Sequence, residues 1–484
     1  METNQSTVIL GGGFVGLFCA LHLSHKHYPH PIILIDQNAR FVFKPLLFEF
    51  LTGEMESEQV LPRYEELLQG SNVTFRQDTI SNVDLVSKRV ELGSGLHYNY
   101  SNLVLALGST QGYFGTEGAQ ENAFAFRTGE DAIALEKHLR QCLLKASQTN
   151  NEEHRQASLT FAVVGAGPSG VEMAATLADL LPIWYEQLGG NIKEIQVILI
   201  NRSQEILTGD INSHLRKTAL LSLKSRTVPV KLLLGVAVQT VKPNQLIYKY
   251  KDKDEVEVLA TETIIWTAGT ATNLVIQNLA IPPEDKDKHG LPIVKPTLQL
   301  SHFPEVFAAG DCAVVQDHPL PALAQIAYQQ AATIANNIKA FSEHKELHPA
   351  KPKLRGTLMK LGIKQGVANL FNKYEIQGKI GDLIRNAVYL EMLPTPIHNF
   401  KATKEWLTDE IFHQYHKPQS IREYNQEAKK YDWIANWIGG SIMAIILVVG
   451  GTFAWRVMRP SQEQPQPNSS LFDHYSRNNP SNSI

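Results

Sequence analysis

Two stretches of this chain carry the same glycine spacing, and each lies between an apolar run and a helix-forming run. "VILGGGFVGLFCALHL", starting at Val8, places Gly11, Gly13 and Gly16 in the frame G-x-G-x-x-G. "AVVGAGPSGVEMAATLADL", Ala162 to Leu180, places Gly165, Gly167 and Gly170 in the same frame. The first glycine of such a frame makes a tight turn. The second lets backbone N–H groups approach a pyrophosphate, and the third lets helix and strand pack closely, while the helix N-terminus adds positive potential. A glycine turn alone says little, but both copies here leave an apolar strand and open a helix, which is the context a dinucleotide fingerprint requires. Two such units are therefore expected, and 484 residues leave room for both with full cores.

The rest of the order supports this. Residues 6–36 read as the strand "TVIL", the glycine turn, a helix body Leu17–Leu23 and the strand "PIILID" ending at Asp36. "LVLALGS", Leu103–Ser109, is a buried-strand candidate that runs into a glycine turn at Gly108. "NNEEHRQAS" reads as a polar loop before the second unit, which extends to "IQVILINR". "ETIIWTAGT" repeats the strand-into-glycine pattern at Gly269. In "EVFAAGDCA", Gly310-Asp311 closes a strand and starts a helix, and "ALAQIAYQQAATIANNI" has helical composition. The fold class is α/β with two Rossmann-like dinucleotide-binding domains.

The formal net charge is −3, which gives no electrostatic case for nucleic acid. The three cysteines, Cys19, Cys142 and Cys312, are far apart and suggest neither a disulfide framework nor a metal site. A reducing compartment is the default, and no cleaved signal peptide is evident. One segment departs from the soluble pattern. Residues 434–455, "IANWIGGSIMAIILVVGGTFAW", carry no charge over about 22 residues, enough to span a hydrocarbon core of about 30 Å. Trp433, Trp437 and Trp455 lie near its ends, flanked by Lys429 and Lys430 on one side and Arg456 and Arg459 on the other. A buried core helix, or an interfacial hairpin broken at Gly439-Gly440, is the alternative. The tail 459–484 is rich in Pro, Ser, Asn and Gln and is expected to be disordered.

Several side chains stand where a dinucleotide would need them. Asp36, at the end of the second strand, can take both hydroxyls of an adenosine ribose; the alternative is a strand-end charge in a turn. The matching position of the second unit is Asn201, followed by Arg202. A missing carboxylate removes repulsion against a 2′-phosphate, and Arg202 can pair with it, unless it is an ordinary surface arginine. Glu205, three residues on, would take the ribose hydroxyls if the turn folds back. Asp311 can accept hydrogen bonds from a ribityl hydroxyl.

Together these pieces resemble the two-dinucleotide-binding-domain flavoproteins, over most of residues 6–400. In that superfamily the second domain is inserted in the first, and one fingerprint holds FAD while the other holds a nicotinamide nucleotide. Disulfide reductases of this fold carry a cysteine pair soon after the first unit, where this chain has "RFVFKPLLFEFLTGE" and no cysteine. Sulfide:quinone reductases also use redox cysteines, and Cys142 and Cys312 are not placed for that. "FVFKPLLFEFLTGE", "GAGPSGVE" and "LAQIAYQQA" instead resemble the type II NAD(P)H:quinone oxidoreductases. "RFVFKP" and "YLEMLPTPIHNFK" are similar to the cyanobacterial and plastid branch that includes demethylphylloquinone reductase. There are two departures: the turn often written Ala-Thr-Gly reads Ala106-Leu107-Gly108 here, and where the family usually ends in amphipathic helices lying on the membrane this chain offers a span at 434–455.

The resemblance implies FAD and NAD(P)H as cofactors, with Lys44, Gly108, Gly269, Gly310, Asp311 and Ala327 among their contacts. It implies Glu172 at the nicotinamide–flavin contact. It also implies Gln325 and Gln329, four apart on one helix face, beside a membrane quinone of naphthoquinone or plastoquinone/ubiquinone type. No metal is implied. The implied organisation is 1–118 and 289–400 for the FAD-binding domain, 119–288 for the NAD(P)H-binding domain, and 401–458 for a C-terminal helical, membrane-anchoring region. The expected location is the membrane, by a single pass or a C-terminal anchor, with the catalytic domains on the cytoplasmic side. The lipid bilayer is then a partner, and a second copy of the chain, as a homodimer, is a further candidate. The competing reading is a flavin-based redox sensor or membrane-tethered interaction protein with vestigial turnover. A reductase serving ferredoxin is disfavoured, since no basic docking patch is evident.

Overall fold

The first apolar run becomes an inner strand of a parallel sheet with all four residues buried. The computed structural model describes residues 6–406, apart from 210–212, 253–254, 318, 355, 371–373, 396–397, 400–401 and 404–405. Thr7–Leu10 (β1), Phe14–His25 (α1) and Ile32–Asp36 (β2) form the first βαβ unit, with β1 and β2 parallel and Val8 opposite Ile33. Gly11 has φ +93°, and a Cβ there would lie 2.5 Å from the Ala106 carbonyl oxygen. A Cβ at Gly16 would lie 1.8 Å from the Gly11 carbonyl oxygen. The turn therefore admits no side chain at either position. A short helix, Leu47–Thr52 (α2), precedes Val73–Gln77 (β3) and Asn102–Leu105 (β4).

Gly129–Gln148 (α3) is capped reciprocally: the Thr128 hydroxyl accepts the Asp131 N–H, and the Asp131 carboxylate accepts the Thr128 N–H. The stretch expected as a polar loop is instead mostly helical, Glu152–Ser158 (α4). The Asn151 side chain accepts the His154 N–H, and Glu152 and Glu153 lie at the positive end of the helix. Its polarity is that of a capped surface helix. Buried Ser158 ends it and donates to the Glu262 carboxylate.

The second unit is Thr160–Val164 (β5), Pro168–Gln187 (α5) and Gln196–Asn201 (β6), followed by Ser213–Lys224 (α6), Lys231–Leu234 (β7) and Thr263–Trp266 (β8). These strands make a parallel sheet in the order β7-β6-β5-β8. An antiparallel three-stranded sheet spanning 236–260 lies between β7 and β8 in sequence. Val306–Ala308 (β9) then pairs with β4 and completes the first sheet, β9-β4-β1-β2-β3. The chain thus builds the whole second sheet between two adjacent strands of the first.

Gly310–Cys312 is a single 3-10 turn and does not open the long helix as expected. That helix, Ala324–Ser342 (α7), starts later and packs along α1, with the Phe18 and Tyr328 rings edge to face at 4.7 Å. Gly356–Lys360 (β10), Gly366–Leu370 (β11) and Tyr374–Gln377 (β12) form an antiparallel sheet beside Gly378–Glu391 (α8). Among the described residues no helix is long and apolar enough to cross a membrane. The apolar segment 434–455 and the tail 459–484 lie outside the described residues.

Candidate active site

The two glycine turns have the same construction. Gly13 and Gly167 are the N-caps of α1 and α5, and a Cβ at either would meet nothing within 4 Å. Gly165 and Gly170 are as constrained as Gly11 and Gly16: a Cβ at Gly170 would lie 1.8 Å from the Gly165 carbonyl oxygen. Neither helix has a side-chain cap or an acidic residue in its first turn. Each turn therefore leaves an open cradle at an uncompensated positive helix end, which suits the pyrophosphate of a dinucleotide. The end of the second strand meets the middle of each turn. Asp36 accepts the Gly12 N–H at 2.7 Å, and Asn201 accepts the Ala166 N–H at 3.3 Å. Burial raises the Asp36 carboxyl pKa against its backbone hydrogen bonds from Asn38 and Gly12.

Around the first turn the structure adds residues that sequence reading missed. The Tyr64 hydroxyl donates to the Gly12 carbonyl at 2.9 Å, and a Cβ at Gly12 would lie 2.2 Å from that oxygen. The Ser109 hydroxyl donates to the Asp311 carboxylate at 3.0 Å, and the Arg127 guanidinium donates to the Ser109 carbonyl and hydroxyl at 2.8 and 2.9 Å. Desolvation and the nearby Arg127 cation lower the Lys44 ammonium pKa. Gly108 and Gly310 have φ +62° and +72°, and the Gly310 N–H donates to Gln330 at 3.0 Å. The Ala327 Cβ would be 3.9 Å from a Cβ on Gly310. Lys44, Gly108, Gly310, Asp311 and Ala327 thus lie in one neighbourhood, joined by Ser109 and Arg127. A polar strip of this kind fits the phosphate and ribityl part of FAD.

The second turn gathers Asn201, Arg202 and Glu205. The Asn201 amide donates to the Ser203 and Glu205 carbonyls at 3.3 and 2.8 Å, and Arg202 is exposed. Gly269 has φ +76°, and the exposed Phe114 ring covers it, 2.4 Å from where its Cβ would stand. The Gln111 side chain donates to the Ala268 and Gly269 carbonyls at 3.0 and 3.1 Å. Short antiparallel strands 109–111 and 270–272 join these loops.

Glu172, in the second turn of α5, accepts the backbone N–H of Lys360 at 2.8 Å. Burial raises its carboxyl pKa to about 7, opposed chiefly by the Arg385 cation. Behind it lies a buried ionic network absent from the sequence reading. Lys360 pairs with Glu49 at 3.0 Å and Glu54 at 2.6 Å, and Arg385 pairs with Glu49 at 2.5 Å and donates to the Pro45 carbonyl at 2.6 Å. Asp382 is lifted to about 6 by burial. The signal available was a lysine inside the apolar strand "GTLMKLG" and an arginine in "DLIRNAVYL".

The two glutamines do lie on one face of α7, but their amides are engaged within the protein. Gln325 donates to the Gly356 carbonyl at 3.0 Å; Gln329 donates to the Gln325 and Lys353 carbonyls at 2.8 and 3.0 Å and accepts the Lys353 N–H at 2.9 Å. They tie α7 to the segment that leads into β10 and Lys360. All three cysteines are buried, and burial pushes the Cys142 and Cys312 thiols up to about 11.

Residues 5–331 match the family of pyridine nucleotide-disulphide oxidoreductases. The alternative NAD(P)H-ubiquinone oxidoreductase C1, chloroplastic/mitochondrial, of Arabidopsis thaliana is 31% identical over 434 residues, covering 82% of this chain and 79% of its own. The demethylphylloquinone reductase NdbB of Synechocystis sp. is 32% identical over 411 residues, covering 83% of this chain and 95% of its own. Among solved structures, NDH2 from Plasmodium falciparum in complex with NADH has the same fold, with a TM-score of 0.74 at 19% identity over 86% of this chain and 100% of that one.

Proposed function

The chain belongs to the pyridine nucleotide-disulphide oxidoreductases and, within them, to the type II NAD(P)H:quinone oxidoreductases, and we propose that its first glycine turn holds FAD, its second holds NAD(P)H, and Glu172 lies where the two meet. It is an FAD-dependent enzyme that takes hydride from NAD(P)H and delivers two electrons to a quinone. Bound FAD supplies the two-electron chemistry that lets a hydride donor and a quinone react in turn. The observation that carries the assignment of the two turns is the pair of open cradles at Gly13 and Gly167, each beside glycines that admit no Cβ.

In this reading the first-turn N–H groups of α1 hold the FAD pyrophosphate, Asp36 takes the adenosine ribose, and Asp311, steadied by Ser109 and Arg127, takes a ribityl hydroxyl. Lys44, Gly108, Gly310 and Ala327 complete that wall. Gly165, Gly167 and Gly170 hold the nicotinamide nucleotide. Arg202 pairs with a 2′-phosphate, Asn201 braces the turn and puts no carboxylate there to repel it, and Gly269 lets backbone approach. The Glu172 carboxylate bonds the nicotinamide carboxamide and fixes the donor carbon. Gln325 and Gln329 line the quinone side and brace segment 353–356 as its wall. The boundaries 1–118, 119–288 and 289–400 divide the FAD-binding and NAD(P)H-binding domains. Segment 434–455 anchors the enzyme to the bilayer, facing a quinone of naphthoquinone or plastoquinone/ubiquinone type.

The test is an anaerobic titration of the flavin absorbance with NADPH and with NADH, followed by a panel of benzoquinones and naphthoquinones. Bleaching by the nucleotide and repeated reoxidation by a quinone are expected. Flavin that bleaches once and is reoxidised by no quinone overturns the reading in favour of a redox sensor.

A further inference from the structure

The loop after β6 is held by four hydrogen bonds, one within itself and three to the second glycine turn and the end of β7. The Asn201 side chain accepts the Ala166 N–H and donates to the Glu205 carbonyl, the Leu207 N–H donates to the Ala166 carbonyl at 2.7 Å, and the Gly235 N–H donates to the Ser203 carbonyl at 3.1 Å. Ile206 and Leu207 are buried and leave the loop no room to swing. Glu205, the carboxylate best placed in sequence to take a ribose diol, is drawn to α6. Its Oε2 stands 2.6 Å from an Arg216 guanidinium nitrogen. Arg216 is only 21% exposed against 60% for Glu205, so the arginine is the fixed member of the pair and the carboxylate the mobile one. The guanidinium also donates to the Leu207 carbonyl at 3.4 Å, and its buried Nε has no hydrogen-bond partner.

We propose that Arg216 is a positioning residue that sets the nucleotide preference: by holding Glu205 in an ion pair, it keeps that carboxylate from the adenosine ribose. The proposal rests on the reading that loop 201–207 receives the adenosine end of the nucleotide. A ribose diol is bound best by a carboxylate with both oxygens free, and a 2′-phosphate is repelled by the same charge. Pairing with Arg216 weakens both effects at once. The chain therefore handles an acidic residue near the 2′ position without becoming selective for NADH.

The experiment measures kcat and KM for NADPH and NADH in wild type, R216Q, E205Q/R216Q and R216K, each at full FAD occupancy and with the same quinone. R216Q is expected to lower the NADPH/NADH ratio of kcat/KM about fivefold, through KM and with kcat unchanged. Both E205Q/R216Q and R216K are expected to return the ratio to within about twofold of wild type. An unchanged ratio in R216Q overturns the proposal. So does a double variant as defective with NADPH as R216Q, which would mean that Arg216 binds the phosphate itself. The underlying reading is tested apart from this by R202A: if that variant loses nothing with NADPH, the assignment of Asn201-Arg202 falls, whatever Arg216 does.

Discussion

Glu172 sits beside two buried cations, yet desolvation outweighs them and lifts its carboxyl pKa to about 7. Its proton is therefore held below neutral pH and lost above it. A carboxylate that accepts the nicotinamide carboxamide works in the ionised form, so the rate of flavin reduction should rise with pH through about 7 and level off. Glu172→Gln should flatten that profile, and Glu172→Ala should keep FAD but slow flavin reduction at saturating nucleotide at least tenfold, on the order of 1.4 kcal/mol. Stopped-flow traces that match wild type in both variants remove the role. Gln329 makes the opposite prediction. Both ends of its amide are spent on Lys353, so Gln329→Leu should loosen segment 353–356, leave hydride transfer intact and raise the KM for quinone several-fold. Slowed flavin reduction with normal reoxidation would place the residue on the wrong half-reaction.

At the scale of elements, α8 shows why half of the site was hidden in the sequence. Its buried residues are Gly381, Asp382, Arg385, Asn386 and, near its end, Leu390, while Ile380 and Leu383 are exposed. A pattern rule that sends apolar residues inward turns this helix around. The pairing that inverts it joins Arg385 to Glu49, 336 positions away, and Lys360 to the same carboxylate from 311 positions away. The two charges stand out in apolar surroundings, but nothing local announces their partner. The glycine turns were legible for the converse reason, since Gly11, Gly16, Gly165 and Gly170 are dictated by backbone within five or so residues or by a neighbouring strand end. The short helix α4 was lost between these cases: its caps are local, but it has few apolar positions to mark a face. The network behind α8 carries a stability prediction. Removing one member of a buried ion pair leaves its partner uncompensated, at a cost of about 3 kcal/mol or more. Arg385→Met should lower the unfolding free energy by about that amount, read from urea midpoints of the FAD-loaded protein. A change below about 1 kcal/mol would mean that Lys360 alone satisfies Glu49.

At the scale of the whole molecule, the question is which part of the chain the chemistry needs. The second sheet is built between neighbouring strands β4 and β9 of the first, so the first sheet is not complete until β9, after the second is finished. Both cradles, Glu172, the two glutamines and the ionic network are all in place by Arg385, and the described residues reach 406. The charge-free segment 434–455 begins well beyond that point, and at about 1.5 Å per residue a helix there would be about 33 Å long, enough for one crossing. Anchoring and catalysis should therefore separate. A chain ended at Lys430 should leave the membrane fraction, bind FAD at a one-to-one ratio and reduce a water-soluble benzoquinone with NADPH at a kcat within about threefold of the full chain, a difference of less than about 1 kcal/mol. It should lose activity only toward a long-tailed quinone presented in vesicles, where the intact chain gains from being held at the surface in which its substrate is dissolved. Retained FAD with equal activity in vesicles would remove the anchoring role from 434–455. Loss of FAD from the shortened chain would show that the C-terminal segment belongs to the fold.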